Sequence, residues 1–125
     1  MVKVLSFAAA AVALTLAGAI ALSARASAPR DIRIVVRGMT FYLEGSTEPN
    51  PVVRVRRGED VRLVIRNEDV GMMHDFSVPE LGLASSVLNG RSETSVTFRA
   101  PAIAGARTYA CTPHAAMMRG TIAVE

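Results

Sequence analysis

Apolar and polar residues alternate along several short stretches of the chain. Ile32, Ile34 and Val36 share one face, with Arg33 and Arg37 opposite. The same period of two recurs later in residues 53–55, 61–65, 96–98 and 122–124. Because successive side chains of a strand point to opposite faces of a sheet, this period predicts half-buried β-strands.

Turn residues separate these stretches. Glycines and prolines fill the gaps between them, and no segment has a helical period over about ten residues or more. The sequence Arg57-Gly58-Glu59-Asp60 predicts a turn between two neighbouring antiparallel strands. Short strands with frequent turns predict an all-β fold, a sandwich of two sheets.

The N-terminal segment has the pattern of an export signal. Lys3 precedes an uncharged, alanine-rich run over residues 4–22, and small residues follow over 24–28. We predict a signal peptide over residues 1–26, cleaved after Ala26, because cleavage after Ala28 would leave Pro29 beside the scissile bond. An uncleaved membrane anchor is the alternative, since a spanning helix needs about 20 apolar residues. Both interpretations place the domain, residues 27–125, in the periplasm or on the outer face of the cytoplasmic membrane.

The distribution of charge along the chain argues against a nucleic acid partner. The formal net charge of the 125 residues is +3, and removing Lys3 and Arg25 with the leader takes the basic residues from 14 to 12 against 11 acidic ones. No basic block with interleaved aromatic residues is present, so we expect no nucleic acid partner. The solvated outer face of a sheet is the simplest explanation for the alternating arginines, Arg54, Arg56, Arg62 and Arg66.

The chain has one cysteine and two histidines, and all three fall in two short segments. His74 lies in one, and Cys111 and His114 lie in the other, which ends in the pair Met117-Met118. Taken singly, each has an ordinary structural explanation, as a buried thiol, a loop histidine or core methionines. Together, two imidazoles, a thiolate and a weak thioether are the ligand set of a blue-copper electron-transfer site.

From about Asp31 to Glu125 the chain resembles the plastocyanin–amicyanin branch of the cupredoxins. Three motifs carry the resemblance: Gly58-Glu59-Asp60-Val61, Tyr109-Ala110-Cys111-Thr112-Pro113-His114 and Met118-Arg119-Gly120. It implies a Greek-key sandwich of about eight strands with one type 1 copper ion near one end. It also implies that His74, Cys111 and His114 are the strong ligands and that a methionine is the axial one. We predict Met118, because it directly precedes a basic residue and a glycine; Met117 is the alternative.

The resemblance also implies roles for neighbouring residues. Asp75 stands where the family often has asparagine, and we expect it to accept a hydrogen bond from the Thr112 amide or hydroxyl. Its charge should favour Cu(II) and lower the reduction potential. His114, flanked by small apolar residues, is the expected electron port.

Phe76 and Tyr109 are expected in the core beside the ligands. Of Met72 and Met73, one is expected in the core and the other lining the site.

The predicted function is single-electron transport by a copper protein that is not an enzyme. No histidine remains for a second copper site, no second cysteine lies near Cys111, and no Ser–His–Asp motif is present. Transient redox partners such as a cytochrome, a dehydrogenase or an oxidase are expected for a monomer. The alternative is a periplasmic copper chaperone or copper-resistance protein, which would bind the metal mainly through Met72, Met73 and the pair Met117-Met118.

Overall fold

The computed structural model describes residues 26–125, and the predicted leader therefore lies outside the described residues except for Ala26. Within this range the fold is nearly all β, without an α-helix. The strands are β1 (Arg30–Val36), β2 (Phe41–Leu43), β3 (Val52–Val55), β4 (Asp60–Asn67), β5 (Met73–His74), β6 (Ser77–Val78), β7 (Leu83–Ala84), β8 (Leu88–Asn89), β9 (Ser92–Arg99), β10 (Gly105–Ala110) and β11 (Arg119–Val124). The 3₁₀ turns are Pro79–Leu81 and Thr112–His114.

The strands form two main sheets, which confirms the predicted all-β class. One sheet has the order β2-β1-β4-β9 and the other β3-β11-β10-β6-β7, while β5 and β8 form a small separate ribbon. The pairs β1–β4 and β3–β11 are parallel and the other pairs are antiparallel. The strand count exceeds the predicted eight because five of the strands are only two or three residues long.

The prediction that the strands around Gly58 are paired neighbours is wrong. At this turn the chain passes from one sheet to the other: β3 pairs with β11, and β4 pairs with β1 and β9. Each strand has a single apolar face, and these faces meet across the core instead of lying side by side. An alternating pattern is the same for both arrangements, so it does not distinguish a hairpin from a corner between sheets.

The core lies between the two sheets and includes a cluster of three aromatic rings. Phe41, Phe76 and Tyr109 are fully buried; the rings of Phe76 and Tyr109 stack at 4.7 Å, and Phe41 meets each of them edge-on at 5.4 Å. The Tyr109 hydroxyl donates a 2.6 Å hydrogen bond to the Pro51 carbonyl. The three rings belong to the same buried cluster as Cys111 and Met118 and form a floor for the site, as expected for Phe76 and Tyr109. Over residues 26–125, no helix has the length and apolar character needed to cross a bilayer.

Candidate metal centre

One tight loop positions Cys111, His114 and Met118. Strands β10 and β11 pair up to Ala110 and Arg119, and the Cys111 amide donates to the Met118 carbonyl (3.0 Å) beyond the last strand pair. Within the loop, Pro113 sits in the first turn of the 3₁₀ segment, where its missing N–H is tolerated. The His114 carbonyl accepts the Met118 amide at 2.9 Å. These backbone hydrogen bonds hold the three residues together in one compact loop.

His74 enters from the small ribbon formed by β5 and β8. Gly71 adopts a φ of 73°, which allows the sharp turn before β5, and His74 then pairs with Leu88. The His74 side chain is fully buried and its ring centroid lies 5.0 Å from that of His114. The fold thus brings together two histidines that are forty residues apart in the printed sequence.

The donor atoms of the three residues converge on one point. The Cys111 Sγ lies 3.7 Å from Nδ1 of His74 and 3.5 Å from Nδ1 of His114, and all three donor atoms lie within 4.8 Å of one another. A nitrogen and a sulfur ligand at ordinary metal bond lengths of about 2.0 and 2.3 Å are separated by about 3.5–3.7 Å at tetrahedral to trigonal angles. Their separations and their chemistry therefore fit a single type 1 copper ion.

Burial differs sharply among the residues of the cluster. Cys111, His74 and Met118 are fully buried, whereas His114 is only partly buried. Met117 is 56 % exposed, and its carbonyl accepts a hydrogen bond from the Asn50 side chain at 3.0 Å. Access from solvent to the cluster is consequently on the His114 side.

Asp75 joins the two ligand segments. Its Oδ1 accepts a 2.6 Å hydrogen bond from the Thr112 amide. The Thr112 hydroxyl lies instead 3.4 Å from the Ser77 hydroxyl, which donates to the Ala110 carbonyl. The residue after His74 is thereby tied to the residue after Cys111, and the two segments are held in register.

Asp69 belongs to the site, although the sequence analysis did not identify it. Its Oδ2 lies 3.0 Å from Nε2 of His74, on the ring nitrogen opposite the one that faces Cys111. The same carboxylate accepts the amides of Gly38 (2.7 Å) and Met39 (2.9 Å). Burial alone would raise the pKa of Asp69, but these hydrogen bonds and the one to His74 lower it below its usual value. A carboxylate in this position fixes the tautomer and the orientation of the imidazole.

The only sequence signal for Asp69 was its location between a predicted strand and the ligand histidine. Asn67 ends β4 fully buried, and its side chain holds the connection by accepting the Asp69 amide at 2.9 Å and donating to the Met72 carbonyl at 3.1 Å. The contact with residues 38 and 39 depends on the tertiary fold, so spacing alone did not predict it.

Burial keeps the Cys111 thiol in its neutral form when no metal ion is bound. Burial raises the pKa of this thiol above its usual value, and hydrogen bonds from the backbone at Asp75 and His114 offset only part of that effect. A soft metal ion that binds Cys111 must displace the proton, and metal ligation at thiolates proceeds by this exchange.

Met72 and Met73 both lie outside the core. Met72 is half-buried and Met73 is 56 % exposed, so the expectation that one of them packs in the core is wrong.

Comparisons with known proteins agree with this geometry. Residues 50–125 match the family model of copper-binding proteins of the plastocyanin/azurin family. The fold is similar to reduced auracyanin from the photosynthetic bacterium Roseiflexus castenholzii (TM-score 0.62, 17 % identity, 79 % of this chain and 99 % of that one). It is also similar to auracyanin A from Chloroflexus aurantiacus (TM-score 0.55, 20 % identity, 78 % of this chain and 100 % of that one). Reduced rusticyanin is similar as well (TM-score 0.59, 18 % identity, 79 % of this chain and 82 % of that one). No curated protein sequence matches the chain.

Proposed function

The chain belongs to the plastocyanin/azurin family of copper-binding proteins, and from this premise we propose that it carries single electrons between redox partners outside the cytoplasm. The observation that carries the proposal is the convergence of Cys111 Sγ with Nδ1 of His74 and of His114. One copper ion bound there supplies a Cu(I)/Cu(II) couple, which needs no substrate chemistry. The sequence has only two histidines and both belong to this cluster, so none remains for a second copper, and we infer a carrier and not an enzyme.

The ligand set is His74, Cys111 and His114, with Met118 as the axial ligand. Complete burial of Met118 in the ligand loop supports this choice over Met117, which is exposed. The buried thiolate and thioether suit Cu(I), and the imidazoles serve both oxidation states. Asp69 orients His74, and Asp75 holds the two ligand segments together.

Rigid positioning is what the chain contributes to rapid electron transfer. The backbone hydrogen bonds of the 111–118 loop, the Asp75–Thr112 contact and the aromatic floor below all limit movement of the ligand side chains. Burial excludes water from the thiolate, which would otherwise be exposed to oxidation. Little rearrangement is then needed when the charge of the site changes.

His114 is the electron port. It is the partly buried member of the cluster, and its neighbours Pro113, Ala115, Ala116 and Met117 are exposed and mostly apolar. A small apolar surface allows a partner to approach closely and to leave quickly, as transient electron-transfer complexes require. Partners of this kind include a cytochrome, a dehydrogenase or an oxidase.

Copper delivery is the second candidate, and the exposure of Met73 and Met117 favours it, since thioethers bind Cu(I). Complete burial of His74 and Cys111 disfavours it, because a delivery site has to release its metal readily.

A competition experiment separates the two functions. The reduced, copper-loaded protein is mixed with an excess of a Cu(I) chelator while repeated oxidation and reduction cycles are recorded by voltammetry. An electron carrier keeps its copper and gives a stable one-electron wave with wild-type protein and with the double variant Met73→Leu/Met117→Leu. Rapid copper loss that slows in this variant would instead establish delivery through the exposed methionines.

A further inference from the structure

One edge of the four-stranded sheet is long and unpaired. Within the described residues, strand β9 (Ser92–Arg99) pairs with β4 alone, in a register that runs without a break over all eight residues. The other strands that end a main sheet, β2, β3 and β7, have only two to four residues each. Proteins usually protect a sheet edge with proline, lysine, a bulge or a very short strand, and β9 has none of these. The free side of Ser92–Arg99, here called the β9 edge, is therefore a surface on which another strand can pair.

The free backbone groups of β9 belong to alternate residues. Just past the end of β9 the Ala100 amide donates to the Glu59 carbonyl (2.8 Å), and just past the end of β4 the Glu68 amide donates to the Val36 carbonyl on β1 (2.9 Å). Because the backbone groups of successive strand residues point to opposite sides, these two bonds fix the alternation along β4 and β9. The N–H and C=O groups that point away from β4, and have no partner within residues 26–125, are those of Glu93, Ser95, Thr97 and Arg99.

The apolar face of β9 is incompletely covered. Val96 and Phe98 pack against the core but are only half-buried. Their register partners on β4, Leu63 and Val61, are fully buried. The difference arises because β4 has a neighbouring strand on both sides and β9 has one on a single side. A strand added at the β9 edge would bury the remaining apolar surface, which is favourable.

The sequence of β9 is complementary to itself when two copies run antiparallel. With Val96 on the twofold axis, Glu93 of one copy lies opposite Arg99 of the other. In the same register Ser95 lies opposite Thr97. Each of these pairs joins side chains of the exposed face and residues whose backbone groups are free, as an antiparallel ladder requires. A second copy of this chain therefore matches the edge in charge, face and hydrogen bonding.

The neighbouring registers lack this match. With Ser95 on the axis, Arg91 lies opposite Arg99, and like charges directly opposite one another are destabilising. With Thr97 on the axis, the pairing runs past the end of β9 to Pro101, which has no N–H to donate. The register centred on Val96 is thus the favoured one of the three.

Both charged residues of this register are available for pairing. Glu93 is exposed and makes no ion pair within residues 26–125. Arg99 is also exposed and contacts Asp60 only through Nη1. A guanidinium group has five N–H donors, so that of Arg99 can bind a second carboxylate at the same time.

We propose that the protein forms a symmetric dimer in which the β9 edges of two copies pair antiparallel about Val96. The pairing joins two four-stranded sheets into one continuous sheet. The interface is small, so the dimer is weak and its formation depends on protein concentration. Since β9 starts beside Asn67 at the metal end and runs about 25 Å away from it, the two metal clusters lie at opposite ends of the dimer. Both His114 side chains stay accessible to redox partners. A monomer was expected from the sequence, and the free edge is the reason for proposing a dimer instead.

Sedimentation equilibrium of the copper-loaded protein tests the association. The mean mass should rise toward that of a dimer as the protein concentration is increased to about 1 mM, a range in which weak complexes form. Hydrogen exchange of the reduced protein, recorded by NMR, then locates the interface. Exchange should slow several-fold with concentration at the four residues with free backbone groups and stay unchanged on β3, the other edge. A protein that stays monomeric throughout, whether its edge binds another protein or nothing, overturns the proposal. So does association that leaves exchange in β9 unchanged.

Charge-reversal variants test the register. Glu93→Arg and Arg99→Glu each place like charges opposite one another twice in the dimer, so each variant alone should associate on the order of tenfold more weakly. An equimolar mixture of the two variants should recover the wild-type association. In the mixed dimer positions 93 and 99 are both basic in one copy and both acidic in the other, so opposite charges face one another again.

The matched control is Glu48→Arg, the same change of charge at an exposed residue of another loop. It should associate like the wild type, and circular dichroism checks that every variant is folded. If the mixture associates no better than the single variants, the β9 edges do not pair in this register and the proposal fails. Equal weakening by Glu48→Arg would attribute the effect to net charge and would overturn the proposal too.

Discussion

Replacing Gly120 with alanine should destabilise the domain and disturb the strands that carry the ligand loop. Gly120 lies opposite Tyr109 in the β10–β11 register, two residues beyond Met118. A Cβ atom at this position would lie 2.3 Å from the Tyr109 hydroxyl oxygen and 2.4 Å from the ring carbon that bears it. Local propensity predicts the opposite sign, because alanine in a strand is more stable than glycine by about 0.5–1 kcal/mol. The experiment thus separates a steric from a conformational role for this glycine.

The magnitude follows from what must move. Ordinary contact requires the Tyr109 ring to shift by about 1 Å, yet the ring is fully buried and packed against Phe41 and Phe76. The shift weakens two aromatic contacts worth about 0.5–1.5 kcal/mol each. It also weakens the hydrogen bond to the Pro51 carbonyl, worth about 1 kcal/mol. We therefore expect a loss of about 3 kcal/mol, a large share of the 5–15 kcal/mol that is typical of a domain.

Urea unfolding of the metal-free protein, followed by circular dichroism, measures this loss. The control is the same substitution in a Tyr109→Leu background, where the smaller side chain removes the clash and the cost of Gly120→Ala should fall below about 1 kcal/mol. A cost that is equal in both backgrounds would refute the steric explanation. So would a wild-type-like midpoint for Gly120→Ala alone.

Four further predictions concern the site and the stability of the fold. Met118→Leu should raise the reduction potential, measured by voltammetry, by on the order of 50 mV, equivalent to about 1 kcal/mol. Met117→Leu should leave the potential unchanged, and the reverse result would make Met117 the axial ligand. Asp69→Asn removes the carboxylate that contacts His74 and should raise the potential by a similar amount, on the order of 50 mV; an unchanged potential would mean that Asp69 only positions the ring. Asp75→Asn should also raise the reduction potential, and an unchanged potential would contradict the proposed effect of the Asp75 charge. Finally, hydrogen bonds from the Arg30 side chain and then from the Arg56 amide lower the pKa of Glu59 from 4.5 to about 2, so its contribution to stability is present above pH 4.5 and is lost as the pH falls toward 2. Glu59→Gln should lower the free energy of unfolding by about 1 kcal/mol at neutral pH and leave it unchanged near pH 2, as measured by acid unfolding. If the variant and the wild type differ in stability by the same amount across that pH range, the ion pair does not stabilise the fold.

The ligand residues could be predicted from the sequence because their chemistry is rare in this chain. A single cysteine and two histidines leave few ways to build a soft metal site, and the loop from Cys111 to Met118 is continuous in sequence. Alternation likewise predicted the strands and the all-β class. The loop and the alternation are local in sequence, whereas His74 was identified because it is one of only two histidines in the chain.

Several features that depend on tertiary contacts were predicted wrongly or not at all, although the expected hydrogen bond from the Thr112 amide to Asp75 is confirmed. The corner at Gly58 has the same alternation as a hairpin, and only the pairing of β3 with β11 distinguishes the two. Asp69 reaches His74 because Asn67 and the amides of Gly38 and Met39 hold it there. Met73 is exposed because His74, the next residue on the ribbon, faces the core, and the neighbouring sequence Gly71-Met72 does not reveal that orientation.

The measurement that tests the central claim most directly is the visible absorption spectrum of the protein with one equivalent of Cu(II), before and after ascorbate. The account predicts an intense blue or green thiolate-to-copper band that bleaches on reduction, returns on oxidation and is absent in Cys111→Ser. A pale solution with only weak bands, or an intense band that persists in Cys111→Ser, would contradict it, because Cys111 would then not be a copper ligand.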